Sequence, residues 1–389
     1  MKTKITSACP ICNSNNINEI LCLPNLPVTE LLYDSSQDIK FEITKADQKL
    51  LFCEKCSHGF LGTIVAPEYL YNSANYNTIT SKSKGAQISI DNFASFIVNN
   101  IDTLGYCIDV GGNDSSLMQK IKAPSGAILD PNCKVSEDSP FKALNKFYES
   151  VEPDELTNDE ITIVSSHTLE HIESPNQFFK FLKSIKNLNN VFLQFPCIEL
   201  MSEASRYDLV HNQHLHYYSL ASICKIASEY GFFLIDYEYD IDHYGTLRVY
   251  ISKDKNKSKS IYDVEQINIS IISLIDSANT FKLNCNATNS LLEQINNLYC
   301  YGASLMLPLI FYHHPKLKKS KCIFDSDLNK SKLKYANINT PISHDNGEID
   351  LTEFNIFITA VSTRNAHRAI YRNLLKRNPR YLLSPFGAF

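Results

Sequence analysis

The sequence predicts an α/β protein in three parts: a small cysteine-bearing module at the N-terminus, a central domain with a parallel sheet, and a second α/β half at the C-terminus. Three observations carry this. Two Cys-x-x-Cys pairs lie within residues 1–56, apolar strand-like runs alternate with helical periodicity from about residue 88 to 255, and the alternation resumes near residue 298. A chain of 389 residues exceeds what one core usually covers, and the expected parts are 1–66, 67–255 and 256–389.

Composition narrows the function classes. At 44% hydrophobic and 20% charged the chain is an ordinary globular protein, and a formal net charge of -5 gives no electrostatic footprint for nucleic acid. No run of some 18 apolar residues occurs, and the start MKTKITSACP lacks the apolar stretch of a signal peptide. The expectation is a cytoplasmic protein with no membrane partner. KDKNKSK (residues 253–259) reads as a solvated linker.

The twelve cysteines, in a large chain without an export signal, are expected to be reduced thiols or metal ligands. Cys9 and Cys12 form CPIC, and Cys53 and Cys56 form CEKC. Each pair lets two thiolates from one tight turn reach one ion, so together they supply the four ligands of a structural tetrahedral zinc. Cys22 and His58 are spare candidates. The single cysteines Cys107, Cys133, Cys197, Cys224, Cys285, Cys300 and Cys322 sit among apolar residues as small core side chains.

After a Tyr/Asn/Ser/Thr-rich loop at 67–87, the pattern ISIDNFASFIVNNI from residue 88 predicts a helix leading into the strand of YCIDVGGNDSSLMQKIK (residues 106–122). There Asp109 runs into Gly111, Gly112 and a polar turn that opens a helix. Ligands sit at the carboxyl ends of strands in a doubly wound sheet, and glycines there let the backbone come close. GAILDPN (residues 126–132) predicts a second strand ending in Asp130, whose carboxylate can accept both hydroxyls of a ribose. The pattern is not Gly-x-Gly-x-x-Gly, so an adenosine-containing ligand other than a dinucleotide is favoured. EITIVSSHTLEHI (residues 160–172) predicts a third strand ending in a His/Glu/His cluster, and NVFLQFP (residues 190–196) a fourth.

Residues 207–219, YDLVHNQHLHYYS, set His211, His214 and His216 among amides and tyrosines. On a strand, His211 would point away from His214 and His216, which argues against a shared metal. Farther on, residues 261–297 predict one long or two shorter helices, and NLYCYGASLMLPLIFYHH repeats the strand-glycine-helix order at Gly302 and Ala303, with a helix N-terminus able to face an anion. KCIFDSDLNKSK predicts a strand ending in Asp325, and NIFITAVSTRNAHRAIYRNLLK another strand and helix.

The order of these segments, followed by HYGTLRVYI and YGAS, resembles the sugar C-methyltransferases that act on nucleotide-linked keto-deoxysugars with S-adenosylmethionine. The resemblance spans nearly the whole chain. It implies an N-terminal zinc-binding module, a central class I methyltransferase domain of Rossmann-like build, and a C-terminal Rossmann-like domain that helps hold the nucleotide-sugar. It implies that Asp109, Gly111, Gly112, Asn113 and Asp114 surround the methionine part and ribose of the cofactor, with Asp130 on the ribose and His167 beside them.

In that family the histidine run reads Tyr-His-Glu-His and is the proposed source of the base that removes a proton beside the ketone. The positions here are His211, Asn212, Gln213 and His214. A neutral amide takes no proton near pH 7, which leaves His214 as the base, His211 as its reserve, and Gln213 as a hydrogen-bond donor to a developing enolate. Tyr76 and His171 lie in segments resembling those that line the substrate pocket. Tyr244 and Thr246 replace the family's Gly and Ser near His243 and Arg248, Arg248 being a candidate partner for a phosphate or carboxylate, and Ser115 stands where a glycine is usual. The expected partner is a small-molecule nucleotide-linked sugar, bound by a monomer or weakly associating homo-oligomer. Two alternatives remain: a methyltransferase acting on oxygen or nitrogen, and a catalytically silent relative that binds a nucleotide-sugar or a partner protein.

Overall fold

The computed structural model of the chain describes residues 3–29, 31–70, 84–133, 135–136, 138–152, 156, 159–241, 245–257, 269–360 and 364–385. Tyr76, His243 and Tyr244 lie outside the described residues.

The central sheet is built from β1 (Tyr106–Val110), β2 (Ser125–Leu129), β3 (Phe141–Leu144), β4 (Ile161–Ser166), β5 (Leu188–Pro196), β6 (Phe233–Asp240) and β7 (Thr246–Ser252). Their spatial order is β3-β2-β1-β4-β5-β7-β6, with β7 antiparallel to both neighbours and the other pairs from β3 to β5 parallel. This agrees with the class I arrangement that the resemblance implies. The strands are apolar because both faces are covered: Ile108, Ile163 and Val191 are wholly buried in one apolar cluster, and the alternate residues Cys107, Val164 and Phe192 are wholly buried in another. Helix Lys84–Asn100 covers one face through Phe93 and Ile97, and helix Pro175–Ser184 covers the other through Phe178 and Phe179. The latter helix starts where Pro175 follows Ser174, whose hydroxyl accepts the Gln177 amide at 3.3 Å.

The N-terminal segment folds as an antiparallel sheet of Ile17–Pro27, Lys45–Cys53 and His58–Leu61, which His216–Tyr217 extends by one short strand. The histidine run is therefore not one strand, as read from sequence. Only its end is extended, whereas the His214 amide donates to the His211 carbonyl at 3.1 Å in a turn. Its apolar residues Val210 and Leu215 join a core with Phe52 of the N-terminal sheet and Phe281 of helix Ile271–Glu293. Within 261–297 the described residues form one long helix, Ile271–Glu293, rather than two.

Beyond it, strands Leu298–Tyr301, Ile323–Asp325, Ile342–His344, Asn355–Ile358 and Tyr381–Leu383 form an all-parallel sheet. At its first turn the Ala303 amide donates to Asp325 at 2.7 Å, and the following helix begins only at Leu307. The helix therefore opens past the glycine turn, whose Ala303 amide is met by the chain's own carboxylate. Five of the seven single cysteines are buried; Cys133 and Cys224 are half-buried. Among the described residues no helix is long and apolar enough to cross a membrane.

Candidate active site

The glycine turn after β1 is held by close contacts rather than by sequence pattern alone. Gly111 has φ +74°, and a Cβ there would overlap the Thr168 side chain. At Gly112 a Cβ would come within 2.6 Å of Asp109 Oδ2 and 2.8 Å of Ile128 Cγ2. Asn113 takes the left-handed conformation that asparagine tolerates better than most residues, and its amide donates to Asp130 Oδ2 at 3.3 Å. Asp130 Oδ1 accepts the Asn132 amide at 2.7 Å, which fixes the carboxylate just past the end of β2.

Asp109, Asp114 and Asp130 thus converge on one turn. Burial, then the charges of Asp130 and Asp114, push the Asp109 carboxyl well above the usual carboxylate range. Its Oδ1 is buried with no hydrogen-bond partner among the described residues. A ligand that brings a cationic amine and a ribose diol fits that donor-poor, acid-rich cradle, which is what the methionine and ribose ends of S-adenosylmethionine carry.

The segment after β4 joins this turn to the histidines. Thr168 packs on Gly111, and the Ser165 hydroxyl donates to the Val110 carbonyl at 2.8 Å. His167 holds φ +51°, a conformation that a non-glycine residue adopts at some cost. Two hydrogen bonds then connect this segment to the histidine turn: the Leu215 amide donates to the Glu170 carbonyl at 2.8 Å, and His171 Nδ1 donates to the Gln213 carbonyl at 2.8 Å. The rings of His211 and His214 lie 3.9 Å apart, and those of His171 and His214 4.9 Å apart. A turn, unlike a strand, puts residues three apart side by side.

The amides between the histidines are braces. Gln213 Oε1 accepts the Thr29 hydroxyl at 2.7 Å and His211 Nδ1 at 3.1 Å, while its Nε2 donates to the Thr29 carbonyl at 3.2 Å. Asn212 Nδ2 donates to the Pro27 carbonyl at 3.2 Å, and its oxygen accepts from Gln48. Gln213 is only 1% exposed, so the expected donation to an enolate gives way to anchoring the turn on the N-terminal sheet.

Burial sets the protonation of the cluster. It holds His211 down to about 3, His167 and His216 to about 4, and His214 well below its usual range, so these imidazoles are neutral at pH 7. That desolvation weakens His214 as the base expected from the sequence. Burial also pushes Glu170 up to about 7. Sequence reasoning left this residue without a role, although it stands between His167 and His171 in SSHTLEHI.

Elsewhere the outcomes divide. Arg248 is 1% exposed; its Nε donates to Gln194 at 2.8 Å, and its other nitrogens pair with Asp240 and with Glu238 at 3.2 Å. It is occupied by carboxylates of β6, so it does not stand free for a ligand. His58 pairs with His216 at 3.1 Å and Cys22 is exposed on its strand, so neither joins the thiol cluster. Cys9, Cys12, Cys53 and Cys56 do come together, with Sγ separations of 3.5 Å (Cys9 to Cys56) and 3.6 Å (Cys12 to Cys53). Tetrahedral Zn–S bonds of about 2.3 Å require S···S of about 3.8 Å, so the four thiols fit such an ion.

Residues 88–237 match the family profile described as a methyltransferase domain. Among solved structures, the chain is similar to magnesium protoporphyrin IX methyltransferase from Synechocystis PCC 6803, at 12% identity over 44% of this chain and 84% of that one, with a TM-score of 0.34. It is also similar to 1,6-didemethyltoxoflavin-N1-methyltransferase from Burkholderia thailandensis, at 9% identity over 43% and 80% of the two chains, TM-score 0.34. A glycopeptide N-methyltransferase gives 9% identity over 42% and 94%, TM-score 0.34. No curated protein sequence matches the chain.

Proposed function

From a chain that is an S-adenosylmethionine-dependent methyltransferase by its central domain, residues 88–237, we propose a transfer to the carbon beside the ketone of a nucleotide-linked keto-deoxysugar. One observation carries this reading. The glycine turn, the 167–171 segment and the histidine turn are joined through Thr168, Glu170 and Gln213, a continuous run of contacts that supports the histidines as proton acceptors for a donor held at the glycine turn. In carbon methylation a base must take a proton while the enolate carbon attacks the sulfonium methyl in line, and the positioned base is worth roughly 10²- to 10⁴-fold.

His211 is the better-placed acceptor. Its Nδ1–H is fixed on Gln213 Oε1, so the other ring nitrogen carries the lone pair. His214, the sequence-based choice, has a nitrogen drawn into a group with Glu170 and His171 instead. Asp109, Gly111, Gly112, Asn113, Asp114 and Asp130 hold the donor, zinc sits structurally in the four thiols, and the C-terminal parallel sheet helps hold the nucleotide.

The test begins with calorimetric titration of S-adenosylmethionine and S-adenosylhomocysteine into wild type and Asp130→Ala. Loss of charge-assisted hydrogen bonds of about 1.5–3 kcal/mol is expected to weaken binding roughly 10- to 150-fold. Absence of binding by folded wild type sinks the reading. Turnover of keto-sugar nucleotides with a carbon-13 methyl donor then separates a carbon-bound methyl from one on oxygen. A methyl on oxygen or nitrogen supports the second reading, heteroatom methylation, which the neutral Gln213, braced on Thr29, favours.

A further inference from the structure

Glu170, His171 and His214 present one carboxylate oxygen and two imidazole nitrogens within 4.8 Å of one another. We propose that these three side chains form a second metal site, distinct from the four thiols, which takes one divalent transition-metal ion such as Zn2+, Fe2+ or Co2+.

Four features point to an ion rather than to a satisfied polar cluster. The Glu170 side chain is wholly buried, and its Oε2 has no hydrogen-bond partner among the described residues. A buried carboxylate oxygen left so is costly unless a proton or a cation meets it. Its Oε1 is already oriented, because the carboxylate accepts from His167 Nδ1 at 3.2 Å. His171 is oriented as a ligand by the bond from its Nδ1 to the Gln213 carbonyl at 2.8 Å, since a carbonyl only accepts and the Nδ1–H tautomer presents its lone pair on the other nitrogen. Metal-binding histidines almost always donate their second nitrogen in this way, and such outer partners orient the ligand.

The donor set selects the metal. Two imidazoles and a carboxylate suit zinc, iron(II) or cobalt(II), and lack the all-oxygen shell that magnesium or calcium needs. Bonds of about 2.0–2.2 Å place neighbouring donors about 3.3 Å apart, so closing on an ion asks for side-chain shifts on the order of an ångström. Three protein ligands leave a coordination position open, and His171 is half-buried rather than sealed, so water or a substrate oxygen can complete the shell. The thiol cluster, by contrast, is closed by its own four ligands. Use of the ion as a Lewis acid on a substrate oxygen rests on the methyl-transfer reading above, whereas metal uptake tests the site with no substrate present.

The experiment uses the full chain, dialysed against a chelator mild enough to leave the thiolate-bound ion, then titrated with Co2+. Wild type is expected to take up one further Co2+ per chain, with weak visible absorption and no added thiolate charge-transfer band. Glu170→Gln and His214→Asn, shown to be folded by circular dichroism and to retain the thiolate-bound ion, are expected to lose this uptake. His167→Ala should weaken it by about 10- to 100-fold, the usual effect of removing an outer partner. Uptake confined to the thiol cluster in wild type overturns the proposal, as does uptake unchanged in the Glu170 and His214 variants.

Discussion

Gly111→Ala tests the link between the glycine turn and the histidine segment. Alanine at φ +74° costs about 1 kcal/mol in backbone conformation. Its methyl would also overlap Thr168 Oγ1 and Cγ2, and forcing an extra carbon into a packed site costs typically about 1–3 kcal/mol. The expected total is about 2–4 kcal/mol of stability, together with weaker binding of S-adenosylhomocysteine because the turn moves. Thr168→Ala removes the two overlapping atoms but leaves Thr168 Cβ, which lies 2.8 Å from the new methyl. The double variant should therefore recover about 1 kcal/mol relative to the sum of the single changes, and not the backbone part. Denaturant unfolding and calorimetry on all four proteins measure this coupling. Strictly additive effects, or a Gly111→Ala protein as stable and as tight-binding as wild type, would refute the contact as the reason for the glycine.

Gln213→Ala should destabilise the chain by about 1–3 kcal/mol, because it strands the Thr29 hydroxyl and His211 Nδ1; His211→Ala should reduce turnover more than Gln213→Ala does, and the reverse order in a methyl-transfer assay would sink the choice of acceptor. Cys12→Ser, or a strong chelator, should lower the melting temperature and expose the N-terminal sheet to protease, since the thiols pack in the same core as Phe178 and Phe195; unchanged melting would show that no ion supports this cluster. Glu199, pushed up to about 7 chiefly by burial from an ordinary value of 4.5, keeps a proton on folding that the unfolded chain releases. Its raised value means that this group's contribution to stability is fully present below about 4.5 and is lost as pH rises towards 7, by about 3 kcal/mol in all. Glu199→Gln should flatten that part of the stability curve, and an unaltered slope between about pH 5 and 7 would contradict the assignment.

Several features were legible in the chain because they depend on local chemistry. The Cys-x-x-Cys spacing brought four thiols to one point, and apolar runs ending in Asp109 and Asp130 marked strands whose carboxyl ends meet at a glycine turn. Helical periodicity from residue 88 became helix Lys84–Asn100. What such patterns omit is partnership. Nothing near Arg248 in sequence signals that carboxylates of the adjacent strand and Gln194 occupy it. The same holds for Gln213: as a residue type it looked like a free hydrogen-bond donor, and Thr29, 184 positions away, turned it into a brace.

By itself the sequence determined the α/β class, the thiol cluster, and methyl transfer from S-adenosylmethionine as the activity, since periodicity, ligand spacing and turn residues act over short stretches of chain. Tertiary structure alone decided the character of the histidine cluster. Burial is a property of the assembled core, and it is burial that makes His211 and His214 neutral and raises Glu170. The meeting of Glu170 and His171 with His214 is likewise made by two segments more than 40 residues apart, joined through the Gln213 carbonyl.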